Sequence, residues 1–301
     1  MNIHIIGSGS IGLLLAAYLS ENHEVTLYTN RKEQKEKLER YGLCLEKNSR
    51  KKIIHSVTVE TLKEKDISIK ADLVFVTVKQ YHLPEMIERL NTIQSPCVFL
   101  QNGMGHLSLL ETLACEIIGV GVITHGALRK NDTVVEHKGN GEIKIGCLKG
   151  ENKKLEKQFI PLLNESLSFY YYDDIYPFLK GKLWMNAIIN PLTALYRVNN
   201  GELKNNDYMK QNVERLYREL KLVFSDVERQ LPLEEVYSLC EKTKENRSSM
   251  LKDIEEGRMT EIDAIVGYIL QVGNQQALDL PYFQFVYTSI KALEVMNNRG
   301  I

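Results

Sequence analysis

Two domains, an α/β half followed by an all-α half, is the fold class that the 301-residue sequence predicts. Three observations carry it. A short apolar run at Asn2 to Ile6 feeds a glycine-rich turn and then an apolar helical segment, the opening of a βαβ unit. Further apolar runs alternate with helical stretches as far as Tyr172. Beyond Asp173 the long segments carry helical spacing and none reads as a strand. A chain of this length also exceeds one ordinary core, which places domain 1–173 before domain 174–301, with the hinge at Asp173-Asp174 ahead of Pro177.

Composition narrows the function classes. With 44% hydrophobic and 26% charged residues and a net charge of -1, the chain is an ordered protein without the basic surplus that nucleic acid or an anionic membrane would need. Its five cysteines are scattered and form no CxxC pair, which argues for reduced thiols in the cytoplasm and against a zinc site or disulfide scaffold. No metal is expected. Met1 to Ile6 runs directly into the glycine motif, leaving no room for a signal peptide, and no apolar run reaches membrane-spanning length.

The first element after that strand is Gly7-Ser8-Gly9-Ser10-Ile11-Gly12, in the order GxGxxG, followed by an apolar helix from Ile11 to Leu19. Gly7 allows the turn, Gly9 lets a pyrophosphate approach the backbone, and Gly12 lets the helix pack on the strand. This predicts a Rossmann-type doubly wound sheet. The strand Glu24 to Tyr28 ends in Thr29-Asn30-Arg31-Lys32, where an NAD enzyme usually offers a carboxylate to the ribose 2′-hydroxyl. Here cations stand instead, and Arg31 can pair bidentately with a 2′-phosphate, which favours NADPH. The plainer reading makes Arg31 only the opening residue of the charged helix Lys32 to Arg40.

Residues Gly42 to Glu60 read as one or two short strands with Arg50-Lys51-Lys52 as a solvated turn. The run 72–78 is a continuous apolar strand with Lys79 at its carboxyl end, where ligands of open α/β sheets sit. A helix at Pro84 to Asn91 follows, and then the strand Cys97 to Leu100 ends in Gln101-Asn102-Gly103-Met104-Gly105. Asn102 is therefore a second polar group at a strand end, or else a turn asparagine. A sixth strand spans Ile117 to Thr124, His125-Gly126-Ala127 makes a turn, and Thr133 to Ile145 with Gly139-Asn140-Gly141 suggests a hairpin. His125 is read as structural. A helix at Glu151 to Asn164 and a short strand at Phe169 to Tyr172 close the half.

In the second half, the stretch Lys182 to Gly201 draws most attention. Lys182, Asn186, Asn190 and Thr193 fall within one narrow sector of a helix that is otherwise apolar almost all round. Polar groups on such a helix are costly to bury without a partner, so an amine and two carboxamides one turn apart imply a polar ligand, the alternative being a solvated face. Pro191 removes a backbone donor and predicts a kink or local opening beside Asn190. Helical spacing continues at Tyr208 to Gln230, Leu233 to Glu245, Thr260 to Ala277 and Phe283 to Asn297. Glu261 borders the apolar face set by Ile262, Ile265, Val266, Ile269 and Leu270, or is simply a first-turn carboxylate. Ser248 and Ser249 fit a helix start.

Assembled, these residues resemble the ketopantoate reductase (2-dehydropantoate 2-reductase) family almost end to end. The likeness rests on GSGSIG, on QNGMG at Gln101 to Gly105, on the Lys182–Asn186–Asn190–Pro191 block with PLTAL, on Asn200-Gly201-Glu202-Leu203, and on SSMLKDI with TEID at Ser248 to Asp263. The resemblance implies NADPH in the glycine-rich site and a small 2-oxo acid in a cleft between the domains. It implies cofactor contacts from Gly7, Ser8, Gly9, Ser10, Ile11, Gly12, Arg31, Lys79, Asn102, Ala127 and Glu261. Lys182 looks like the catalytic acid, kept charged and aimed by Glu261. Asn186, Asn190, Asn200 and Ser249, with Lys182, look like substrate contacts. The doubled Asn199-Asn200 is a departure from the family pattern, so Asn200 is assigned by its adjacency to Gly201. A homodimer is left open. Two other readings compete: a reductase of the same architecture for another 2-oxo acid, and a non-catalytic NADPH-binding protein.

Overall fold

β1 (Asn2–Ile6) is the strand about which the first half is wound, and the computed structural model describes residues 1–62, 70–163, 166–228 and 231–298. The chain divides into two units, Met1–Gln101 with Leu107–Ile175, and Asn102–His106 with Tyr176–Ile301.

The first unit continues with α1 (Ser10–Leu19), β2 (Glu24–Thr29), α2 (Lys32–Tyr41), β3 (Leu43–Lys47), β4 (Arg50–Ile54), β5 (Thr58–Thr61) and β6 (Leu73–Val76). Then come α3 (Leu83–Leu90), β7 (Cys97–Phe99), α4 (Leu107–Glu111), β8 (Ile118–Ile123), β9 (Gly126–Arg129), β10 (Val134–Gly139), β11 (Ile143–Lys149), α5 (Asn152–Phe159) and β12 (Phe169–Tyr171). Eight strands form one sheet in the order β12-β11-β8-β7-β6-β1-β2-β5, parallel except where β11 meets β8. β1 lies between β2 and β6, so the winding reverses there and the turn after β1 opens at the switch point where such sheets bind ligands. Every residue of β6 and β8 is buried, as their continuous apolar runs require of strands covered on both faces.

A second sheet, ordered β4-β3-β10-β9, accounts for the all-round apolar character of α1. That helix touches β1 and β2 and also β3, β9 and β10, and Gly12 to Leu19 are all buried.

This sheet corrects several sequence expectations. Gly42 to Glu60 holds three strands, not one or two. Arg50-Lys51-Lys52 is the exposed start of β4, paired with β3, and the turn is made by Asn48 and Ser49 at φ 48 and 63. Gly126 and Ala127 belong to β9 and not to a turn. Thr133 to Ile145 is no hairpin: β10 pairs with β9 and β3, whereas β11 pairs with β8 and β12, so Gly139-Asn140-Gly141 carries the chain from one sheet to the other. His125 is buried where that crossing passes. Its Nδ1 accepts from the Gly141 amide at 3.0 Å and its Nε2 donates to the Leu167 carbonyl at 3.0 Å. His137 then donates to His125 at 3.1 Å and accepts from the Tyr18 hydroxyl at 2.7 Å, and desolvation lowers both imidazole pKa values. The pair is a neutral structural relay, which is the role the sequence assigns His125.

The second unit is helical: α6 (Tyr176–Tyr196), α7 (Glu202–Asn205), α8 (Asp207–Val223), α9 (Ser225–Glu228), α10 (Leu233–Lys242), α11 (Ser249–Glu255), a π-turn (Asp263–Gly267), α12 (Tyr268–Gln275) and α13 (Pro281–Asn298). α6 packs against α8, α11 and α13, burying Leu183, Trp184, Ala187, Ile188 and Ile189. It stays helical through Pro191 and breaks instead after Tyr196, where Arg197 takes φ 55. The expected helix from Tyr208 divides at Phe224, and its last residues 229–230, like Asn164 of the helix after β11, lie outside the described residues. The expected helix from Thr260 starts later and opens as a π-turn. The N-terminus of α13 is capped from α8: Glu219 accepts the Tyr282 and Phe283 amides, each at 2.8 Å. Among the described residues no helix is long and apolar enough to cross a membrane.

Candidate functional site

The glycine turn of the first unit is built for close backbone approach. Gly7 has φ 111 and its carbonyl accepts from the Thr77 hydroxyl at 2.9 Å, tying the turn to the end of β6. A Cβ on Gly12 would lie 1.8 Å from the Gly7 carbonyl oxygen, so helix and turn meet only because both residues are glycine. A Cβ on Gly9 would instead project into open space, where a ligand can reach the main chain. Gly9 is the N-cap of α1, no side chain caps the helix and its first turn holds no acid, so its free amides face outward to an anion. These residues fit the pyrophosphate of a dinucleotide.

Around that turn lies a polar cluster that sequence reasoning missed. Gln34, 1% exposed, accepts from the hydroxyls of Ser8 at 2.8 Å and Thr29 at 3.0 Å. Its amide donates to the Ser8 carbonyl at 3.1 Å and the Asp132 carbonyl at 3.0 Å. Arg31 occupies the N-cap position of α2, so it does open that helix, while its guanidinium pairs with Asp132 and lies 3.4 Å from Gln34 Oε1. Lys79 is half-buried beyond the carboxyl end of β6, and Ala127 is half-buried on β9 opposite His137.

In the helical unit, Asn186 and Asn190 of the four stripe residues remain available to a ligand. Thr193 does not: it is fully buried, its hydroxyl 2.8 Å from Ser248 Oγ and 2.7 Å from the Ile189 carbonyl. Ser248 in turn accepts the Leu251 amide at 3.1 Å, so this pair fastens α6 to the start of α11. Ser249 is the exposed neighbour. Asn186 is half-buried and Asn190 buried, and among the described residues neither carboxamide has a hydrogen-bond partner. Asn200 is buried apart from α6, its amide group donating to Thr243 Oγ1 at 2.9 Å while its Oδ1 is unsatisfied.

Lys182 keeps part of its surface accessible, yet burial of its amine pushes its pKa down to about 8, with the Glu261 carboxylate acting in the opposite sense. Glu261 itself is buried and accepts from Asn102 Nδ2 at 2.8 Å. The π-turn explains how residues 159 apart in sequence are held so closely. An α-helix would give the Ala264 carbonyl the amide of Tyr268, but that amide bonds to Asp263 instead. The Ala264 carbonyl turns to the loop and accepts from Met104 at 3.2 Å and Gly105 at 3.3 Å. Gly103, at φ 80, passes so close that a Cβ would lie 2.2 Å from the same oxygen. The clamp thus sets Asn102 on Glu261, and Glu261 bears on the amine of Lys182.

Comparison with known proteins agrees with this arrangement of parts. The model of the family "Ketopantoate reductase PanE/ApbA" matches residues 3–150, and that of its C-terminal domain matches residues 178–294. The chain is 39% identical over 301 residues to a 2-dehydropantoate 2-reductase of Bacillus subtilis (strain 168), covering 99% of both chains. It is 30% identical over 303 residues to one of Pyrococcus horikoshii, covering 98% of both. A crystal structure of a probable 2-dehydropantoate 2-reductase from Bacillus subtilis superposes with a TM-score of 0.84 at 40% identity, covering 97% of this chain and 100% of that one. A D-mandelate dehydrogenase with NADH and anilino(oxo)acetate, at 24% identity, 99% coverage of each chain and a TM-score of 0.90, shares the fold. With both family models matched across most of its length, the chain belongs to the ketopantoate reductase PanE/ApbA family of oxidoreductases.

Proposed function

We propose that this chain reduces 2-dehydropantoate to pantoate with NADPH, the first unit holding the dinucleotide and the helical unit the 2-oxo acid. The observation that carries the reading is an amine on a largely apolar helix, its pKa drawn down to about 8 by burial, with a buried carboxylate beside it and, further along the same helix, two carboxamides that have no hydrogen-bond partner among the described residues. When bound, the reduced nicotinamide supplies the hydride. Lys182 donates a hydrogen bond and then its proton to the carbonyl oxygen as charge builds there. Glu261 favours the charged amine and is itself held by Asn102. Asn186 and Asn190 orient the acid's carboxylate and hydroxyl, with Asn200 and Ser249 as further contacts. Gly7 to Gly12, Arg31, Lys79, Asn102, Ala127 and Glu261 are proposed to meet the cofactor. Free cysteines throughout the described chain support a cytoplasmic setting. A homodimer is supported by a structural neighbour, a dimeric ketopantoate reductase from Staphylococcus aureus.

The deciding experiment follows NADPH absorbance with a panel of 2-oxo acids that includes 2-dehydropantoate. Preferred turnover of 2-dehydropantoate is expected; preference for another acid would reassign the substrate, and no oxidation with any acid would leave only a binding protein.

Two further outcomes are expected. A general acid must be protonated, so kcat/KM, which reports the free enzyme, is expected to be level below about pH 8 and to fall tenfold per pH unit above it. Glu261→Gln removes the influence that raises the Lys182 pKa, so the falling limb should move to lower pH. A profile that stays level well above pH 8 would take the proton away from Lys182. In the second, Arg31→Asp should reduce the preference for NADPH over NADH by on the order of 10-fold or more, since a hydrogen bond to a charged group contributes about 1.5–3 kcal/mol. An unchanged ratio of kcat/KM values means the 2′-phosphate is read elsewhere.

A further inference from the structure

The fold restores the carboxylate that the end of β2 lacks. It comes from the loop between β9 and β10, where Asp132 pairs with Arg31, 101 residues away, and with Lys37 Nζ at 2.8 Å. Its main chain is fixed independently of its carboxylate. The Asp132 carbonyl takes the Gln34 amide at 3.0 Å, and the preceding Asn131 accepts the Thr133 and Val134 amides at 2.9 Å each, which sets the loop's turn. Gln34 also holds Ser8 and Thr29, so one buried side chain links the glycine turn, the end of β2 and the loop that carries Asp132. The carboxylate is the less exposed partner, at 16% against 48% for Arg31 and 51% for Lys37. The hydrogen bond from Lys37, then that from Arg31, hold its pKa below the usual carboxylate range, so it is charged at neutral pH.

We propose that Asp132 is a specificity-determining residue for the cofactor: its carboxylate occupies Arg31 as a counter-charge, and a 2′-phosphate must compete with it for that guanidinium. This rests on the reading of Arg31 as the 2′-phosphate partner and goes beyond it. A phosphate near Arg31 gains the cation but meets the like charge of Asp132, and the pair must loosen before bidentate contact forms. The 2′-hydroxyl of NADH brings no such repulsion. Asp132 therefore narrows the preference for NADPH below what Arg31 and Lys37 alone would give.

The test uses full-length protein without substrate, with adenosine 2′,5′-bisphosphate and 5′-ADP as probes in calorimetric titrations at low salt. Asp132→Asn is expected to tighten adenosine 2′,5′-bisphosphate by about 3- to 10-fold, the scale of one screened charge near the surface, and to change 5′-ADP less than twofold. The gain should shrink as salt is raised. Unchanged or weaker binding of the bisphosphate with 5′-ADP binding intact overturns the proposal, weaker binding meaning that Asp132 aims Arg31. Equal changes for both probes also overturn it, because the effect then belongs to the whole dinucleotide site. Arg31→Met separates this proposal from the reading beneath it: no loss of bisphosphate affinity there removes both, whereas a loss there without a gain in Asp132→Asn removes only the role of Asp132.

Discussion

Lys182→Ala is expected to lower kcat for the 2-oxo acid by about 10²-fold or more while leaving NADPH affinity within a few-fold of wild type. The size follows from what the side chain supplies at the moment charge develops on the carbonyl oxygen. One well-placed donor in a water-poor site contributes about 2.7–4 kcal/mol to the transition state, and transfer of its proton adds to that. The pKa of about 8 matters here: at neutral pH the amine is charged, yet it gives up its proton more readily than an ordinary lysine. The selectivity of the loss follows from placement. Lys182 projects from α6 in the helical unit, whereas the glycine turn and Arg31 lie in the first unit, so the groups proposed to hold the pyrophosphate and the 2′-phosphate are untouched by the change. Single-turnover kinetics together with a fluorescence titration of NADPH separates the two effects. Turnover close to wild type would remove Lys182 from the chemistry; a parallel collapse of NADPH binding would make it a cofactor contact.

What the sequence reveals and what it hides divide along physical lines. The turn after β1 is legible because its signal is local: an apolar strand, glycines at fixed spacing and an apolar helix within Asn2 to Leu19. The strands β6 and β8 announce themselves as unbroken apolar runs because both faces are covered. The second sheet is hidden because β10 pairs with β3 across a long separation, and no short-range pattern says to which sheet a strand is added. The Gly139-Asn140-Gly141 sequence has hairpin chemistry but serves a crossing. On α6, periodicity puts four polar residues on one face, but only contacts with α11 reveal that Thr193 is spent on Ser248. Asp132 carries no local signature at all, since its role comes from a partner 101 residues away. The π-turn escapes for another reason. Ala264, Ile265, Val266 and Ile269 are all apolar and buried, and such a run accommodates one extra residue per turn without exposing a polar group.

Gly103→Ala is the variant in which that hidden turn is expected to show its worth. Two costs coincide at this position. An L-residue at φ 80 is strained by about 1–3 kcal/mol, and the new Cβ would lie 2.2 Å from the Ala264 carbonyl oxygen. That oxygen cannot retreat freely, because it holds the Met104 and Gly105 amides at 3.2 and 3.3 Å. Relief of the clash therefore loosens the clamp, and Asn102 moves off Glu261. The expected result is a loss of about 2–4 kcal/mol in stability from strain and lost hydrogen bonds combined, with kcat down by about 10-fold or more in protein that still folds. Gly105→Ala is the matched comparison: it lies in the same loop against the same turn, but its Cβ would meet nothing closer than 3.4 Å. It should stay within about 0.5–1 kcal/mol of wild type, the usual range for a tolerated change of glycine to alanine. Urea unfolding and steady-state kinetics of the two variants side by side give the answer. If both lose stability and turnover equally, the loop is merely sensitive to bulk. If neither does, the carbonyl of Ala264 does not fix the loop, and the Asn102–Glu261 contact must be held by other groups.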